Sequence, residues 1–544
     1  MQKLYYGGDI ITMVEERDRP EAVLVEDGKI RFVGGLAEAK ALCGGKAELV
    51  DLKGHTLMPS FIDGHSHISM YARFAGFPDI SECTSFVEIQ EFLQKYLEEH
   101  PMTVDGVLLA VGYDHNFLKE EAHPTRDILD AVSDKIPIYL YHSSGHMGVA
   151  NTPMLRLAGL KDDTKDPQGG RYGRYEDGRL NGYMEELAAF GPVLMAAFSR
   201  ISADTAEQMR RVQDIYLQYG ITTVQDGGTS RQVFADLLEM ARQQIFKVDV
   251  VSYLMFNEEP EKLMTLHPEL TKQYWNRLKV DGAKIFLDGS PQGKSAWLTR
   301  PYEGEESYLG YPTQPDEVVE AAARCAVEHG YQLLAHANGD AAADQYIRCY
   351  KRAMEGAGKC ECEVQAGSRK HLGRDLRPVM IHCQTVRDDQ LKEMAEIGMI
   401  PSIFVAHTYY WGDVHLKNLG PVRGAHISPA RSAKDCGLRY NFHQDCPVLA
   451  PDMMRTVWCA VNRLTRNGVK IGADQCIGVF DALKGITINA AYAYHEEDRK
   501  GTLEAGKLAD MVSLERNPLT VDPMELKDIE VVETVKEGVA VYRR

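Results

Sequence analysis

The segment MPSFIDGHSHIS carries two histidines, His65 and His67, with one residue between them. In a β-strand, residues i and i+2 point to the same face, so both imidazoles can converge on one metal ion. A His-x-His pair also arises by chance on strands. The spacing by itself therefore leaves a metal pair and an ordinary strand both open.

Three further candidate ligands stand where apolar runs end. His336 ends YQLLAH, His382 ends RPVMIH, and Asp445 follows RYNFHQ. Barrel enzymes build their active sites at the carboxyl ends of their strands, and each of these residues follows a predicted strand. Imidazoles and carboxylates are ligands that zinc accepts in catalytic sites. Together these positions predict one site for a divalent metal.

The elements that must position these residues repeat in a helix-then-strand order. TAEQMRRVQDIYLQYG precedes TTVQDGG, DEVVEAAARCAVEHG precedes YQLLAHANGD, and DDQLKEMAEIG precedes MIPSIFVAH. Repeated helix-strand units predict a parallel β/α fold, and right-handed crossovers make a (β/α)8 barrel the economical solution.

Both ends of the chain have a β character instead. KLYYGGDIITM and AVLVEDGKIRFVGG are apolar runs broken by glycine and aspartate, and the Asp-Gly in VEDGKI signals a hairpin. GTLEAGKLADMVSL and EVVETVKEGVAVYRR have the same character near the other end. We expect the two ends, residues 1–57 and 496–544, to form one small β-domain beside a barrel of residues 58–495.

Two stretches interrupt the regular pattern. Residues 355–375, EGAGKCECEVQAGSRKHLGRD, break a helix with glycine and charge. A longer excursion after the HSH segment contains GYDHNF, YHSSGHMGVANT and GGRYGRYEDGRLNGY. Its polar, glycine-rich and aromatic composition predicts loops that cover a barrel mouth, although a solvated excursion without a chemical role would look similar.

Composition limits the class of protein. The 61 basic and 79 acidic residues give a formal charge of −18, which argues against a nucleic-acid partner. Hydrophobic residues at 44% and charged residues at 26% are typical of a soluble globular protein. The start of the chain lacks the pattern of a secretory signal, no stretch has the length of a membrane helix, and the 11 cysteines are scattered. We therefore expect a cytoplasmic protein with reduced thiols, a small-molecule substrate and no membrane partner, and homo-oligomerisation stays open.

At this point the chain resembles a known family, the amidohydrolase superfamily, and within it the branch called the third amidohydrolase family. The resembling segments run in order through MPSFIDGHSHI, HPTRDILDAVSDKIPIYLYHSSGHMGVANTPMLRLAGL, DGAKIFLDGSPQGKSAWL, LLAHANGDAAAD, MIHCQT, FHQDCPV and ALKGITINAAYAYHEEDRKGTLEAGKLADMVSLERNP. The resemblance implies a metal-dependent hydrolase on a distorted (β/α)8 barrel, with a β-sandwich built from both termini.

The resemblance also implies roles for the candidate ligands. His65 and His67 would bind the more buried metal, and His336 and His382 the second one. Asp445 resembles an aspartate that binds a metal and handles the proton of the attacking water. One or two divalent ions per chain, zinc by preference, are therefore expected.

Two further positions are carried over with alternatives. Lys284 resembles a lysine that carbon dioxide carboxylates into a bridge between two metals, but it could be a core lysine paired with Asp288. Glu186 could be a ligand beside or instead of Lys284, but Asn-Gly-x-x-Glu-Glu is also an ordinary helix entry. The last motif departs from the branch at Cys446, and His443 and Gln444 precede its aspartate, so the pocket floor can differ.

The substrate pocket is less specified. His146 resembles a histidine near the substrate, although a loop histidine bonded to a carbonyl would look the same, and Asn151 follows it. The other candidates for the pocket wall are Asp114, His115, Trp297, Tyr409, Tyr410 and Trp411, each of which could instead belong to the core.

Three functions remain in competition. The first is hydrolysis of an amide or related C–N bond, with N-substituted formamides, acylated amino acids and ureas all open as substrates. The second is deamination of a nitrogen heterocycle. It is disfavoured because a deaminase more often carries an acidic residue shortly after this histidine, whereas His336 is followed by Ala337, Asn338, Gly339 and Asp340. The third is a non-catalytic regulatory protein, which would be expected to lose ligands that this chain keeps.

Overall fold

The computed structural model describes residues 2–100, 106–201, 205–357 and 375–544. The β-strands of these residues are β1 Gln2–Tyr6, β2 Asp9–Ile10, β3 Ala22–Glu26, β4 Lys29–Gly34, β5 Glu48–Asp51, β6 Thr56–Pro59, β7 Phe61–Ile62, β8 Leu108–Tyr113, β9 Ile138–His142, β10 Met147–Ala150, β11 Arg171–Arg174, β12 Leu180–Glu185, β13 Ile221–Thr229, β14 Asp249–Met255, β15 Leu278–Phe286, β16 Gln332–Ala337, β17 Val379–His382, β18 Ile400–Ile403, β19 Asn441–Phe442, β20 Met511–Leu514, β21 Val531–Lys536 and β22 Val539–Arg543.

The α-helices are α1 Leu36–Cys43, α2 Ile68–Phe74, α3 Phe86–Glu99, α4 Arg126–Asp130, α5 Thr152–Leu157, α6 Leu187–Phe198, α7 Thr205–Gln218, α8 Arg231–Arg242, α9 Pro260–Leu266, α10 Asp316–His329, α11 Asp340–Ala357, α12 Asp388–Glu396, α13 His407–Tyr410, α14 Gly412–Ala425, α15 Ala430–Asp435, α16 Met453–Asn462, α17 Val479–Gly485 and α18 Ile488–Ala493. Within the described ranges, no helix is both long and apolar enough to cross a bilayer.

A curled sheet of eight parallel strands forms the centre of this mixed α/β fold. Its order is β7-β13-β14-β15-β16-β17-β18-β19, so neighbours in sequence are neighbours in space. The two edge strands approach each other, since the Gly64 N–H donates to the Phe442 carbonyl at 3.3 Å. The three predicted helix-strand units are confirmed as α7-β13, α10-β16 and α12-β18.

Strands from both ends of the chain share a second sheet. β6 pairs with β20 in antiparallel register, Met58 facing Val512, within a five-stranded sheet of order β2-β6-β20-β21-β22. The N-terminal segment also forms a four-stranded sheet of its own, of order β4-β3-β1-β5. The predicted Asp-Gly hairpin is confirmed, because β3 and β4 pair across Asp27 and Gly28, and both have the positive φ that such a tight turn requires.

The long excursion after the HSH segment differs from the prediction of loops. Five strands of residues 108–185 form a separate sheet of order β11-β12-β10-β9-β8. Glycine misled the sequence prediction here: an added Cβ on Gly148 would lie within 2 Å of the Tyr139 hydroxyl of the neighbouring strand, so glycine permits close strand packing rather than a turn. Of the predicted insert at 355–375, residues 358–374 lie outside the described residues.

At the amino end of the parallel sheet, buried charges connect the strands to the C-terminal segment. Lys500 and Lys536 both contact Asp249 Oδ2 with their Nζ atoms, at 2.7 and 2.6 Å, and Asp249 opens β14. Lys279, near the start of β15, contacts Glu496 at 2.6 Å. Burial would lower the pKa of Lys500, but the Asp249 and Glu496 carboxylates outweigh burial and raise it above its ordinary value. This end of the sheet therefore holds paired, ionised groups.

Candidate metal centre

The opposite, carboxyl end of the same sheet gathers the candidate ligands. His65 and His67 follow β7, His336 lies in β16, His382 ends β17, and Asp445 follows β19. Parallel strands bring these carboxyl ends to one edge, which explains why residues 380 positions apart in sequence, His65 and Asp445, meet.

Asp445 lies between the two histidines of the His-x-His segment. Its Oδ1 atom is 3.5 Å from His65 Nε2 and 3.4 Å from His67 Nε2. His65 is fully buried, and the side chains of His67 and Asp445 are 17% and 12% exposed, so the group opens toward solvent on one side. Ligand atoms of these three residues lie within 4.8 Å of one another, an arrangement that can hold a metal ion.

His382 and His336 extend this group across the sheet. The His382 Nε2 atom is 4.0 Å from Asp445 Oδ2, and the ring centroids of His336 and His382 are 4.5 Å apart. Lys284, inside β15, places its Nζ atom 3.1 Å from His65 Nε2. All six residues predicted as ligands thus lie around one space.

Buried contacts fix the direction of the imidazoles. The Gln225 side-chain oxygen lies against His65 Nδ1, so His65 donates there and its Nε2 lone pair faces Asp445. His382 Nδ1 is 3.2 Å from His443 Nε2, and His443 is held in turn by the Ser402 hydroxyl at 2.9 Å. Such outer contacts set the tautomer and orientation of metal-binding histidines.

Asp288 fixes the orientation of the His336 imidazole. Its Oδ1 atom is 3.2 Å from His336 Nδ1. The carboxylate also accepts backbone N–H bonds from Asn338, Gly339 and Trp297, at 3.0, 2.7 and 3.0 Å. Asp288 is therefore engaged on the His336 side, and its contacts do not support the alternative pairing with Lys284.

Burial keeps the bases of this site neutral. Desolvation, followed by the charge of Lys284, holds the pKa of His65 well below its ordinary value, and desolvation does the same for His336 and His382. Burial also lowers the pKa of Lys284 to about 7. Neutral imidazoles have a free lone pair for a cation, and a neutral amine can react with carbon dioxide.

Asp445 behaves differently because it stays ionised. Burial alone would raise its pKa, but the nearby His67 and His65 imidazoles hold it below the ordinary value. The Oδ1 atom of this buried carboxylate has no hydrogen-bond partner. An unsatisfied carboxylate oxygen beside two imidazole Nε2 atoms fits a divalent cation, and the nitrogen and oxygen donors are those zinc accepts.

Two of the candidate ligands have a strained backbone. His382 has φ of 80° and Asp445 has φ of 55°, the left-handed region that side chains other than glycine rarely adopt. Such conformations cost about 1–3 kcal/mol each and persist where the surrounding structure enforces them.

His146 and Glu186 form a connected pair beside His336. His146 Nδ1 donates to Glu186 Oε2 at 2.8 Å, and its Nε2 is 3.1 Å from His336 Nε2. The other oxygen of Glu186 accepts from the Ser295 hydroxyl at 2.8 Å. Glu186 is also the N-cap of α6, as a helix entry would be, but its side chain makes no capping bond and turns toward His146.

The predicted wall residues occupy different places. Trp297 is half-buried and its backbone contacts Asp288. Trp411 is buried and donates its indole N–H to Asp114 at 2.7 Å, so Asp114 is held by a side chain that follows α13. Asn151 is the N-cap of α5, a structural role. His115 belongs to a separate histidine group, and Tyr409 and Tyr410 lie within α13.

Sequence reasoning missed Gln225 and Ser402 as orienting residues. Both are polar side chains in strands of the parallel sheet, β13 and β18, whose other residues are mostly apolar. A buried polar residue in a central strand was the available signal. Their contacts with His65 and His443 required the strand order, which no single segment reveals.

Comparison with known proteins gives matches along nearly the whole chain. The sequence profile of the Amidohydrolase family, Amidohydro_3, matches residues 48–542. An N-substituted formamide deformylase of Arthrobacter pascens is 26% identical, over 96% of this chain and 95% of that protein. The exoenzymes regulatory protein AepA of Pectobacterium carotovorum subsp. carotovorum is 26% identical, over 76% of this chain and 86% of its own.

Solved structures share the fold. An uncharacterised metal-dependent hydrolase from Pyrococcus horikoshii OT3 superposes with a TM-score of 0.75 at 24% identity, covering 96% of this chain and 99% of that one. At this identity the likeness shows the fold alone.

Proposed function

This chain belongs to the amidohydrolase family, and from that membership we propose that it is a metal-dependent hydrolase that cleaves an amide-type C–N bond of a small molecule. One observation carries the proposal: the buried Oδ1 atom of Asp445 lacks a hydrogen-bond partner and lies within 3.5 Å of His65 Nε2 and His67 Nε2. A regulatory protein without a cation would leave this ionised group unsatisfied, at a cost of about 1–3 kcal/mol or more.

The proposed ligands are His65, His67, His336, His382 and Asp445. They would hold one or two divalent ions, zinc by preference. A bound divalent cation polarises a carbonyl and lowers the pKa of water from about 15.7 toward about 7, so that hydroxide exists at neutral pH. Lys284, whose pKa is near 7, is proposed to carry a carboxyl group from carbon dioxide and to bridge two ions.

The chain's own groups move the proton. Asp445 is ionised and partly open to solvent, so it can accept the proton of the attacking water and return it to the leaving amine. His146, held by Glu186, faces the same space and is proposed to contact the substrate. Because Glu186 is already bonded to His146 and Ser295, we propose it as an orienting residue in preference to a bridging ligand.

Trp297 and Asp114 are proposed to shape the substrate pocket. Trp297 lies beside the residues that hold His336, while Asp114 acts through Trp411, to which its carboxylate is bonded. The proposed partner is therefore a small molecule that enters above the strand ends, and a homo-oligomer remains compatible with this arrangement.

Finer features of the architecture are proposed with the function. We take the curled eight-strand sheet as a distorted (β/α)8 barrel of residues 58–495, and the mixed sheets of both ends as a β-sandwich of residues 1–57 and 496–544. Deleting the chain after Ala509 should then expose the partner strand β6 and cause loss of soluble protein. A soluble, fully active truncation would refute this division.

The function is tested on purified full-length protein by measuring metal content and then hydrolysis of three substrate panels: N-substituted formamides, N-acyl amino acids and ureas. Formamides are tested first because one relative is named an N-substituted formamide deformylase. We expect amine release from one panel, abolished by a chelator and restored by zinc, manganese or cobalt. Metal-free, inactive protein that gains no activity from added metal would refute the proposal.

The alternatives are separated in the same experiment. Ammonia release from purines or pyrimidines without amide cleavage would indicate a deaminase. Metal-bound protein inactive on every panel would favour a regulatory role, as the name of the AepA relative suggests for that protein.

A further inference from the structure

A second group of imidazoles lies outside the candidate metal centre, in the sheet of residues 108–185. His115, His123 and His142 have ring nitrogens that all lie within 4.8 Å of one another. His142 is fully buried, and the other two are partly so. Neither the hydrolase proposal nor the family membership uses these three residues.

The strand pairing explains why they meet. β8 and β9 are parallel neighbours, with Tyr113 paired to His142 at their ends. His115 lies in the short turn that follows β8, and its Nδ1 atom is 3.1 Å from His142 Nε2. The His123 ring lies against the His115 ring, with ring centroids 3.9 Å apart and the planes tilted by 30°.

The ring nitrogens of this group lie close enough together to limit how they can share protons. Between His115 Nδ1 and His142 Nε2 only one proton can be shared, so three clustered imidazoles cannot all satisfy one another.

Outer contacts orient the group as they do around metals. The Tyr113 hydroxyl is 3.2 Å from His123 Nδ1, and the Ser144 hydroxyl is 2.9 Å from His142 Nδ1. The Tyr113 contact leaves His123 Nε2 for the cluster. The Ser144 backbone N–H donates to His142 Nδ1 at 3.0 Å, so the ring proton of His142 lies on Nε2. A cation at Nε2 would require that proton to move to Nδ1, where the Ser144 hydroxyl at 2.9 Å can accept it.

A carboxylate lies next to the group. Asp114 Oδ1 is 3.6 Å from His142 Nε2 and 3.8 Å from His115 Nδ1. Its oxygens already accept from Asn116 at 2.9 Å and from Trp411 at 2.7 Å. Asp114 thus supplies negative charge in a fixed position without an unsatisfied oxygen, which differs from Asp445.

We propose that His115, His123 and His142 form a second divalent metal site, of the zinc class, with Asp114 neutralising its charge. Three imidazoles and a carboxylate are borderline ligands that zinc, cobalt and nickel accept. The bound ion would join the turn after β8, the segment before α4 and the end of β9. Because Asp114 also accepts a hydrogen bond from Trp411, the ion would tie the sheet of residues 108–185 to the segment that follows α13. It is a structural site, and it stands independently of the hydrolase proposal.

The test counts metal in chelator-stripped, full-length protein after addition of zinc and removal of the excess. His123→Gln should lose one equivalent relative to wild type, while retaining the metal that His67→Gln loses. His100→Gln, at an exposed position after α3, is the matched control and should keep every equivalent. An unchanged zinc content in folded His123→Gln would overturn the proposal.

A measurement on the unaltered protein covers the case in which the variant fails to fold. Crystals of zinc-loaded wild-type protein, measured at the zinc absorption edge, should show an anomalous peak between His115 and His142. A peak only among His65, His67 and Asp445 would overturn the second site and leave the hydrolase proposal intact. A peak only between His115 and His142 would support the second site and contradict the hydrolase proposal.

Discussion

The two ends of the parallel sheet bury titratable groups in opposite ways. At the carboxyl end, burial lowers the pKa of Lys284 to about 7, and the imidazoles around it stay neutral. At the amino end, Lys500 is equally buried, yet two carboxylates raise its pKa above the ordinary value. The same residue type therefore has a lowered pKa at one end of the sheet and a raised pKa at the other.

The difference lies in whether each group has a partner. The charged side chains described at the amino end are paired, as Lys536 is with Asp249 and Asp510 at 2.6 and 2.7 Å. At the carboxyl end, Asp445 Oδ1 has no hydrogen bond, and Lys284 Nζ contacts the His65 imidazole and no carboxylate of the described residues. Barrel folds place function at the carboxyl ends of the strands and stability at the other end. Variants of the two ends should separate activity from stability.

The largest effect is expected for Asp445→Asn. The amide keeps the shape but cannot accept the water proton, so kcat should fall by about 10²–10⁴-fold while the fold is retained. Steady-state kinetics and metal content are measured on the same preparation, because a lost ligand also weakens metal binding. Asp435→Asn, at an exposed position, is the control. Activity of Asp445→Asn within threefold of wild type would remove the proton-transfer role.

The two buried lysines should respond oppositely when each is changed to methionine. Lys500→Met leaves part of the charge of Asp249 and Glu496 uncompensated, so the free energy of unfolding should fall by about 3–5 kcal/mol. Lys284→Met in metal-free protein removes a desolvated amine and should leave stability equal or higher. Urea unfolding of both metal-free variants checks this. Equal losses at the two positions would show that the ends do not differ.

Lys284→Ala tests the bridge itself. If carbon dioxide carboxylates Lys284, the variant should lose one metal equivalent, and reconstitution of wild-type apoprotein should depend on bicarbonate. Metal analysis and recovered activity with and without bicarbonate provide the measurement. A fully active, two-metal Lys284→Ala protein would exclude the bridge.

A smaller effect is expected for Gln225→Leu. The variant removes the oxygen that holds His65 Nδ1, so metal affinity should weaken by about 10–100-fold. Competition with a chromogenic chelator measures the affinity, and Gln243→Leu, exposed after α8, serves as the control. If both variants bind zinc like the wild type, orientation by Gln225 is unimportant.

The smallest effect concerns acid stability at the amino end. Burial would raise the pKa of Glu496, but Lys500 and Lys279 lower it to about 2 from an ordinary 4.5. The stabilisation from this group is therefore present above pH 4.5 and is lost as pH falls toward 2. Glu496→Gln should reduce the slope of stability with pH in that window by at most about 1.4 kcal/mol per pH unit. An unchanged slope would contradict the assigned pairing.

The features that could be predicted from the sequence were those that a short segment encodes by the spacing or the type of its own residues. The helix-strand order around β13, β16 and β18 followed from the change between helical and strand spacing, and the hairpin at Asp27 and Gly28 followed from turn chemistry. The His-x-His spacing and strand-end positions placed His65, His67 and Asp445 near one another before any geometry was known. Their roles as ligands remain a prediction.

What sequence could not provide depends on non-local contacts. The sheet of residues 108–185 was predicted as loops because its glycines suggested turns. These glycines allow close packing of strands instead, as Gly148 does against Tyr139 on the neighbouring strand. The convergence of His115, His123 and His142 similarly depends on the parallel pairing of β8 with β9. Spacing along one segment carries no information about such a pairing.

The left-handed backbone at His382 and Asp445 has a consequence for directed evolution. Glycine at either position would relieve about 1–3 kcal/mol of strain and would also remove a proposed ligand. A library selected only for heat resistance should therefore enrich glycine at these positions and yield robust but inactive proteins. A library selected for turnover should retain histidine and aspartate there and accumulate its stabilising changes elsewhere.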